Sequence, residues 1–229
     1  MNIIFYSHTG SLGNGGAESL LSIVSWFALR YKCLVITPDE GTLNIELTKR
    51  NIQNKVLPYY WASNFNNFLG SRTIWSKLCL IRVWILRLLT NKKYVNQHVS
   101  SLRSFNPSII YSNTSVINMG LLVAKSLKIH HVWHLREFQV YPREFPVSDF
   151  ELFPDFGWWY FKKNLNKSDI VITNSSALKK FYSNFLSKKK IKIVYNGIAK
   201  LENVSKKTET IDYMFLMVGT LSENKGHRC

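Results

Sequence analysis

Short apolar runs alternate with stretches of helical periodicity along most of the chain. Asn2–Tyr6 is an uninterrupted apolar run after its first residue and predicts a buried strand leading into a glycine-rich loop. Ala17–Tyr31 follows, with Leu20, Leu21, Val24, Phe27 and Tyr31 at the spacing of one helical face. Cys33–Thr37, closed by Pro38, predicts a second strand, Thr42–Asn51 a helix, and Lys55–Leu57 a short strand ending at Pro58. Farther along, Ile109–Ser112 predicts a strand, Ser115–Leu127 a helix and His131–Leu135 a strand before a Pro-rich loop. Asp169–Asn174 then predicts a strand, Ala177–Leu186 a helix and Ile191–Tyr195 a strand. Strands of this length alternating with helices build βαβ units and a parallel sheet. Such a sheet is covered on both faces, which accounts for continuous apolar runs in place of alternating ones. The predicted fold is therefore α/β, a doubly wound, Rossmann-like parallel sheet, in which ligands gather at the carboxyl ends of the strands.

After Asn196 the chain turns polar and charged as far as Asp212, and Tyr213–Val218 begins a fresh apolar run. The expected division is a domain over residues 1–195, a linker over 196–212 and a further strand and loop over 213–229. That last strand could complete the first sheet or open a second domain.

Charge sharpens the picture. The 229 residues carry 30 Lys plus Arg against 14 Asp plus Glu, a formal charge of +16. The excess is uneven: residues 47–136 contain thirteen Lys or Arg and no carboxylate. A one-signed stretch of that length attracts phosphates, nucleic acid or an acidic membrane face. With 46% hydrophobic and 19% charged residues, disorder is excluded as the main state. Cys33, Cys79 and Cys229 form no CxxC pair, which excludes a disulfide framework and a cysteine zinc site and fits a reducing compartment. Asn2–Tyr6 lacks the basic flank and cleavage site of a signal peptide. The longest apolar stretch, Ile74–Leu89, is interrupted by Lys77, Arg82 and Arg87 and falls short of a spanning helix. A cytoplasmic location is expected.

The strand ends supply the candidate chemistry. The first strand runs into His8, Thr9, Gly10, Ser11, Leu12, Gly13, Asn14, Gly15, Gly16, Ala17 and Glu18. Glycines let backbone approach a ligand closely, and the helix behind offers free N–H groups, so this loop can cradle phosphate. It is not GxGxxG, because Glu18 stands where the third glycine would be. Trp133-His134-Leu135-Arg136-Glu137 ends another strand. His134 could act as a base or hydrogen-bond a hydroxyl, Arg136 could hold a phosphate, and Glu137 could orient either. His130 and His131, at the other end, are expected on the surface. Without a nearby carboxylate at zincin spacing, no metal site is expected.

Four segments resemble family 4 (group 1) glycosyltransferases of the two-domain GT-B fold. Gly15-Gly16-Ala17-Glu18 is similar to the family's GGAE loop, and Ser168–Ser175 to its last N-domain unit. Val194–Ile198 resembles the approach to the interdomain hinge, and Val218-Gly219-Thr220-Leu221 with Lys225-Gly226 the start of the nucleotide-sugar-binding domain. The resemblance implies an N-terminal GT-B half and retaining transfer of a sugar from a nucleotide-sugar to an acceptor, with no cofactor. By it, Gly15, Gly16, Ala17, Gly219 and Lys225 would approach the donor phosphates and His134 the reacting sugar. Arg136, Glu137 and Asn113 would meet the acceptor. Thr220 stands where many members carry Arg, which departs from the pattern of phosphate contacts. The chain ends at Cys229, ten residues beyond Gly219, so the glutamate-bearing donor motif would lie outside it and activity is not expected from this chain alone.

Ile74–Leu89, rich in Trp and Leu, suggests an interfacial helix on anionic lipid through Trp75, Arg82, Trp84 and Arg87. Lys77, Arg82 and Arg87 are five apart, so at about 100° per residue they spread around the helix. Such a contact suits a lipid-linked or polysaccharide acceptor at the inner face of the cell membrane, in surface-polysaccharide assembly. Three rivals remain at this point. A nicotinamide-dependent enzyme would use Asp39 on the ribose. A nucleic-acid-binding protein would use the charge, without any recognisable motif. A non-catalytic partner subunit would bind acceptor alone.

Overall fold

The computed structural model describes residues 1–65, 74–139, 152–186 and 190–197. Gly219, Lys225 and the whole segment 198–229 lie outside them. The chain divides into a compact unit, Met1–Asn196, and a short one, Gly197–Cys229.

The first unit is built on a parallel seven-stranded sheet of order β3-β2-β1-β5-β6-β8-β9. Its strands are β1 (Asn2–Tyr6), β2 (Lys32–Thr37), β3 (Gln53–Val56), β5 (Ile109–Asn113), β6 (His130–Leu135), β8 (Ile170–Thr173) and β9 (Ile191–Ile193). A short antiparallel pair, β4 (Ser63–Phe65) with β7 (Leu152–Pro154), lies apart. Strand order grows outward in both directions from β1 and β5, which pair with Ile3 opposite Ile109. The point of reversal opens a crevice at their carboxyl ends.

Alternation along β1 divides the core. Ile3 and Phe5 pack with Val35 and Tyr111 against α1 (Gly15–Ala28) and α2 (Thr42–Lys49). Ile4 and Tyr6 pack with Ile36 and Ile110 against α3 (Ile74–Leu102) and α4 (Met119–Leu127). Behind β6 and β8, Trp133, Leu135 and Val171 meet α5 (Gly157–Lys167) and α6 (Ser176–Ser183). On the α1 side, cover is incomplete toward β8. Ile109, Val132 and Ile172 are only partly buried there, and Ile170 and Val194 are exposed. An apolar groove of about 280 Å³, bordered by Phe5, Phe27, Tyr111, Val132, Ile172 and Val194, reaches His134.

Several boundaries differ from the sequence reading. β3 is Gln53–Val56, not Lys55–Leu57: it is an edge strand of half-exposed polar residues, so hydrophobicity marks only its end. α4 begins at Met119, not Ser115, because Thr114 stands at φ 108 and turns the chain out of helical geometry. α3 continues past Leu89 to Leu102 because its inward polar residues are satisfied. The Tyr60 N–H donates to Asn91 Oδ1 at 3.0 Å, and Asn91 Nδ2 donates back to Tyr60 O at 3.2 Å. His98 lies 2.9 Å from the Tyr6 hydroxyl and 3.2 Å from Pro58 O. The carbonyl can only accept, so Nε2 carries the proton and Nδ1 accepts from Tyr6. His131, expected on the surface, is fully buried, its ring 2.9 Å from Ser112 Oγ and 3.0 Å from Ser168 Oγ. His130 is exposed as expected.

Candidate active site

The loop after β1 is held rigidly from within. Gly10 N–H donates to Asp39 Oδ1 at 2.5 Å, Ser11 N–H to Thr9 Oγ1 at 3.1 Å, Leu12 N–H to Thr42 Oγ1 at 2.8 Å, and Gly13 N–H to Glu18 Oε1 at 3.3 Å. Asp39, the candidate ribose ligand, is a latch for Gly10. Gly13 has φ 98, a conformation that a side chain would strain. Asn14 caps α1 by accepting from Ala17 N–H at 2.9 Å. Ala17's amide is therefore occupied, and the N–H groups of Gly15 and Gly16, with no partner of this kind among the described residues, remain to face an anion at the helix terminus. A Cβ on Gly16 would stand 3.0 Å from His8 Cε1, so His8 and the loop backbone are in close contact.

Arg136 joins the strand ends. Its Nε donates to Asn113 Oδ1 at 2.8 Å, and Asn113 Nδ2 donates to Gly16 O at 2.9 Å. One terminal nitrogen donates to Asn196 Oδ1 at 2.8 Å, and the other lies 3.2 Å from His134 Nδ1. The Tyr111 hydroxyl also bonds to His134 Nδ1. Because Arg136 has no acceptor to offer, Nδ1 is the unprotonated nitrogen and the proton sits on Nε2. His134 is buried, and Nε2 has no partner among the described residues. Glu137 Oε2 accepts from Ser115 N–H at 3.0 Å and from Ser115 Oγ at 2.9 Å, while Gln139 Nε2 donates to the same hydroxyl at 2.9 Å.

The structure thus brings Gly15, Gly16, Asn113, His134 and Arg136 into one connected cluster. Ala17's N–H is taken up by the Asn14 cap, Glu137 clamps the turn after β5, and Lys225 and Gly219 fall outside the described residues. His8, Tyr111 and Asn196 belong to the cluster as well. No periodicity could single them out, although His8 follows β1 as directly as His134 ends β6.

Burial, then the charge of Arg136, lowers His8 to about 4 and His134 to about 3. Burial also lowers Arg136 itself, with Tyr111 and Glu137 pulling the other way. Near neutral pH the cluster is two neutral imidazoles around one cation, an arrangement suited to an anion and to sugar hydroxyls. Thr114 is strained: a β-branched residue at positive φ costs on the order of 1–3 kcal/mol. Its N–H donates to His134 O at 2.8 Å, and its carbonyl accepts from Trp133 Nε1 at 2.7 Å. Among the described residues, no group of three His, Cys, Asp or Glu could hold a metal ion.

On the proposed outer face, Trp75 is exposed, whereas Trp84 packs on Phe156 with ring centroids 5.6 Å apart. Arg87 pairs at 3.7 Å with buried Asp155. Both therefore point toward the domain, away from the surface that carries Trp75 and Arg82. Among the described residues, no helix is long and apolar enough to cross a membrane.

A doubly wound sheet with a glycine loop and a cation at its switch point defines a Rossmann-like domain, the architecture of the N-terminal half of the GT-B fold. The chain belongs to Glycosyltransferase Family 4, whose profile matches residues 13–200, and this membership sets aside the nicotinamide-dependent reading. Among solved structures it is similar to HepE of Anabaena in complex with UDP, 19% identical, covering 86% of this chain and 44% of that one, TM-score 0.58. A glycosyltransferase from Rickettsia africae is 16% identical over 86% of this chain and 43% of that one, TM-score 0.57. The lipopolysaccharide outer core galactosyltransferase WaaB is 14% identical over 87% and 46%, TM-score 0.55. The chain spans less than half the length of each. No curated protein matches it in sequence.

Proposed function

We propose that the chain is the acceptor-side half of a retaining glycosyltransferase. In this reading the whole protein moves a sugar from a nucleotide-sugar to a lipid-linked glycan in surface-polysaccharide assembly, without metal or other cofactor. The observation that carries it is Arg136, the cation set between neutral His8 and His134 at the mouth of the glycine loop. Departure of a nucleoside diphosphate builds negative charge, and fixed cations and amide donors placed there lower the barrier. The amides of Gly15 and Gly16 would face that charge, and Lys225 and Gly219, outside the described residues, are the further donor-phosphate contacts that the family resemblance implies. His134, protonated at Nε2, would donate to a hydroxyl of the transferred sugar, while Asn113 and Arg136 place the acceptor. The complexes of HepE with UDP, and with UDP-glucose, support a uridine nucleotide as the first donor to try. Retention of configuration rests on the family resemblance.

The test is release of UDP from UDP-glucose and related donors by this chain and by a polypeptide continued through a second domain. Release is expected only from the longer protein, and Arg136→Ala in it should lower kcat/KM by roughly 10²–10³-fold. Turnover by the present chain alone would overturn the division of labour, and an unaffected R136A protein would remove Arg136 from the chemistry. Activity recovered by mixing this chain with a separate second polypeptide would make it a subunit of a divided enzyme.

A further inference from the structure

α3 carries two stripes on opposite sides. Leu80, Trp84, Arg87, Asn91, Val95, His98 and Leu102 follow each other at three- and four-residue steps, and Leu80, Asn91, Val95, His98 and Leu102 are buried in the domain. Trp75, Leu78, Arg82, Ile85, Leu86 and Leu89 lie along the opposite side, with Ile81 beside them. Trp75 is 79% exposed, and Leu78, Ile81, Ile85, Leu86 and Leu89 lie between 45% and 56%. Single exposed apolar side chains are ordinary; five in one row over four turns, with a sixth beside it, are not.

We propose that this outward stripe docks the protein on an anionic lipid bilayer. Arg82 lies inside the stripe, and Lys92 and Lys93, both exposed, stand at its end. All belong to the stretch of residues 47–136 that lacks any carboxylate, so the chemistry complementary to this face is apolar with negative charge at its border. A bilayer of anionic lipid offers both: Trp75 and the Leu and Ile side chains enter the headgroup–acyl boundary, and the long basic side chains rise to the phosphates. A second copy fits poorly, because pairing two such stripes sets Arg82, Lys92 and Lys93 against their own kind with no carboxylate to answer them. The inward stripe fixes the helix to the domain, so the contact is parallel to the membrane surface. This docking stands on α3 alone and does not depend on the sugar-transfer reading.

Cosedimentation with vesicles of equimolar phosphatidylcholine and phosphatidylglycerol, against pure phosphatidylcholine, tests it without any assay of turnover. Binding is expected to the anionic vesicles only, with release at high salt. Leu78→Glu with Leu86→Glu, and separately Arg82→Glu, should each weaken partitioning at least about tenfold, while Trp26→Ala, on exposed α1, should leave it unchanged. All these side chains are exposed, and unaltered circular dichroism would show that the fold persists. Quenching by brominated lipid should be reduced in Trp75→Phe and not in Trp26→Phe. Equal binding to neutral vesicles, or unchanged partitioning in the α3 variants, would overturn the proposal. So would concentration-dependent self-association that L78E/L86E abolishes without any vesicle binding, which would assign the stripe to a second copy.

Discussion

Histidines 8, 98, 131 and 134 are held neutral mainly by burial, which lowers His8 and His98 to about 4 and His131 and His134 to about 3. Arg136 adds its repulsion at His8 and His134, as Lys125 does at His131. In the unfolded chain these groups protonate near 6.5, so below that pH the unfolded state takes up protons that the native state refuses. Stability from these residues is complete above about pH 6.5 and declines as the pH falls toward the folded-state values, by roughly 1.4 kcal/mol per pH unit for each histidine. The urea midpoint should therefore be level between pH 7 and 8 and fall steadily toward pH 5. His131→Gln should flatten that fall by one proton's share. A midpoint independent of pH over the range would contradict the burial described. The same neutrality leaves Arg136 as the positive group facing Gly16 and His134.

At the scale of elements, two helices are started by the same device and only one of them opens onto the cluster. Asn14 accepts from Ala17 N–H at the head of α1, and Ser175 accepts from Leu178 N–H at 3.2 Å at the head of α6. Asn14→Ala and Ser175→Ala should each cost about 1 kcal/mol in chemical denaturation. In the two-domain protein, N14A alone should also raise KM for the nucleotide-sugar, since it loosens the turn that presents Gly15 and Gly16. Equal kinetic effects from the two variants would detach the glycine loop from donor binding. Elements that bury both faces, such as β1, β2 and β6, were legible as apolar runs. The rest of α3 was not, because its inward stripe includes Asn91 and His98, polar residues whose partners Tyr60, Pro58 and Tyr6 lie more than thirty positions away. α5 escaped because Gly157-Trp158-Trp159-Tyr160-Phe161 is aromatic on every side. The strand-end rule located His134 and Arg136, but the link from Arg136 to Asn196 spans sixty positions, and no local pattern encodes it.

For the whole molecule, the basic charge and the incomplete sheet cover belong to different regions. The former borders α3; the latter lies on the α1 side of β5, β6 and β8, where Ile170 and Val194 meet solvent. An order of opening follows from this one-sided cover. Backbone amides in β1 and β2, packed by helices on both faces, should exchange with deuterium only through global unfolding. Those in β8 and β9, with one face lightly packed and β9 at the edge with three residues, should exchange orders of magnitude sooner by local fluctuation. Hydrogen-exchange mass spectrometry on the intact chain reads this directly, and uniform protection across the sheet would refute it. The region that loosens first includes the approach to Asn196, so the partner of Arg136 sits on the least protected margin of the domain.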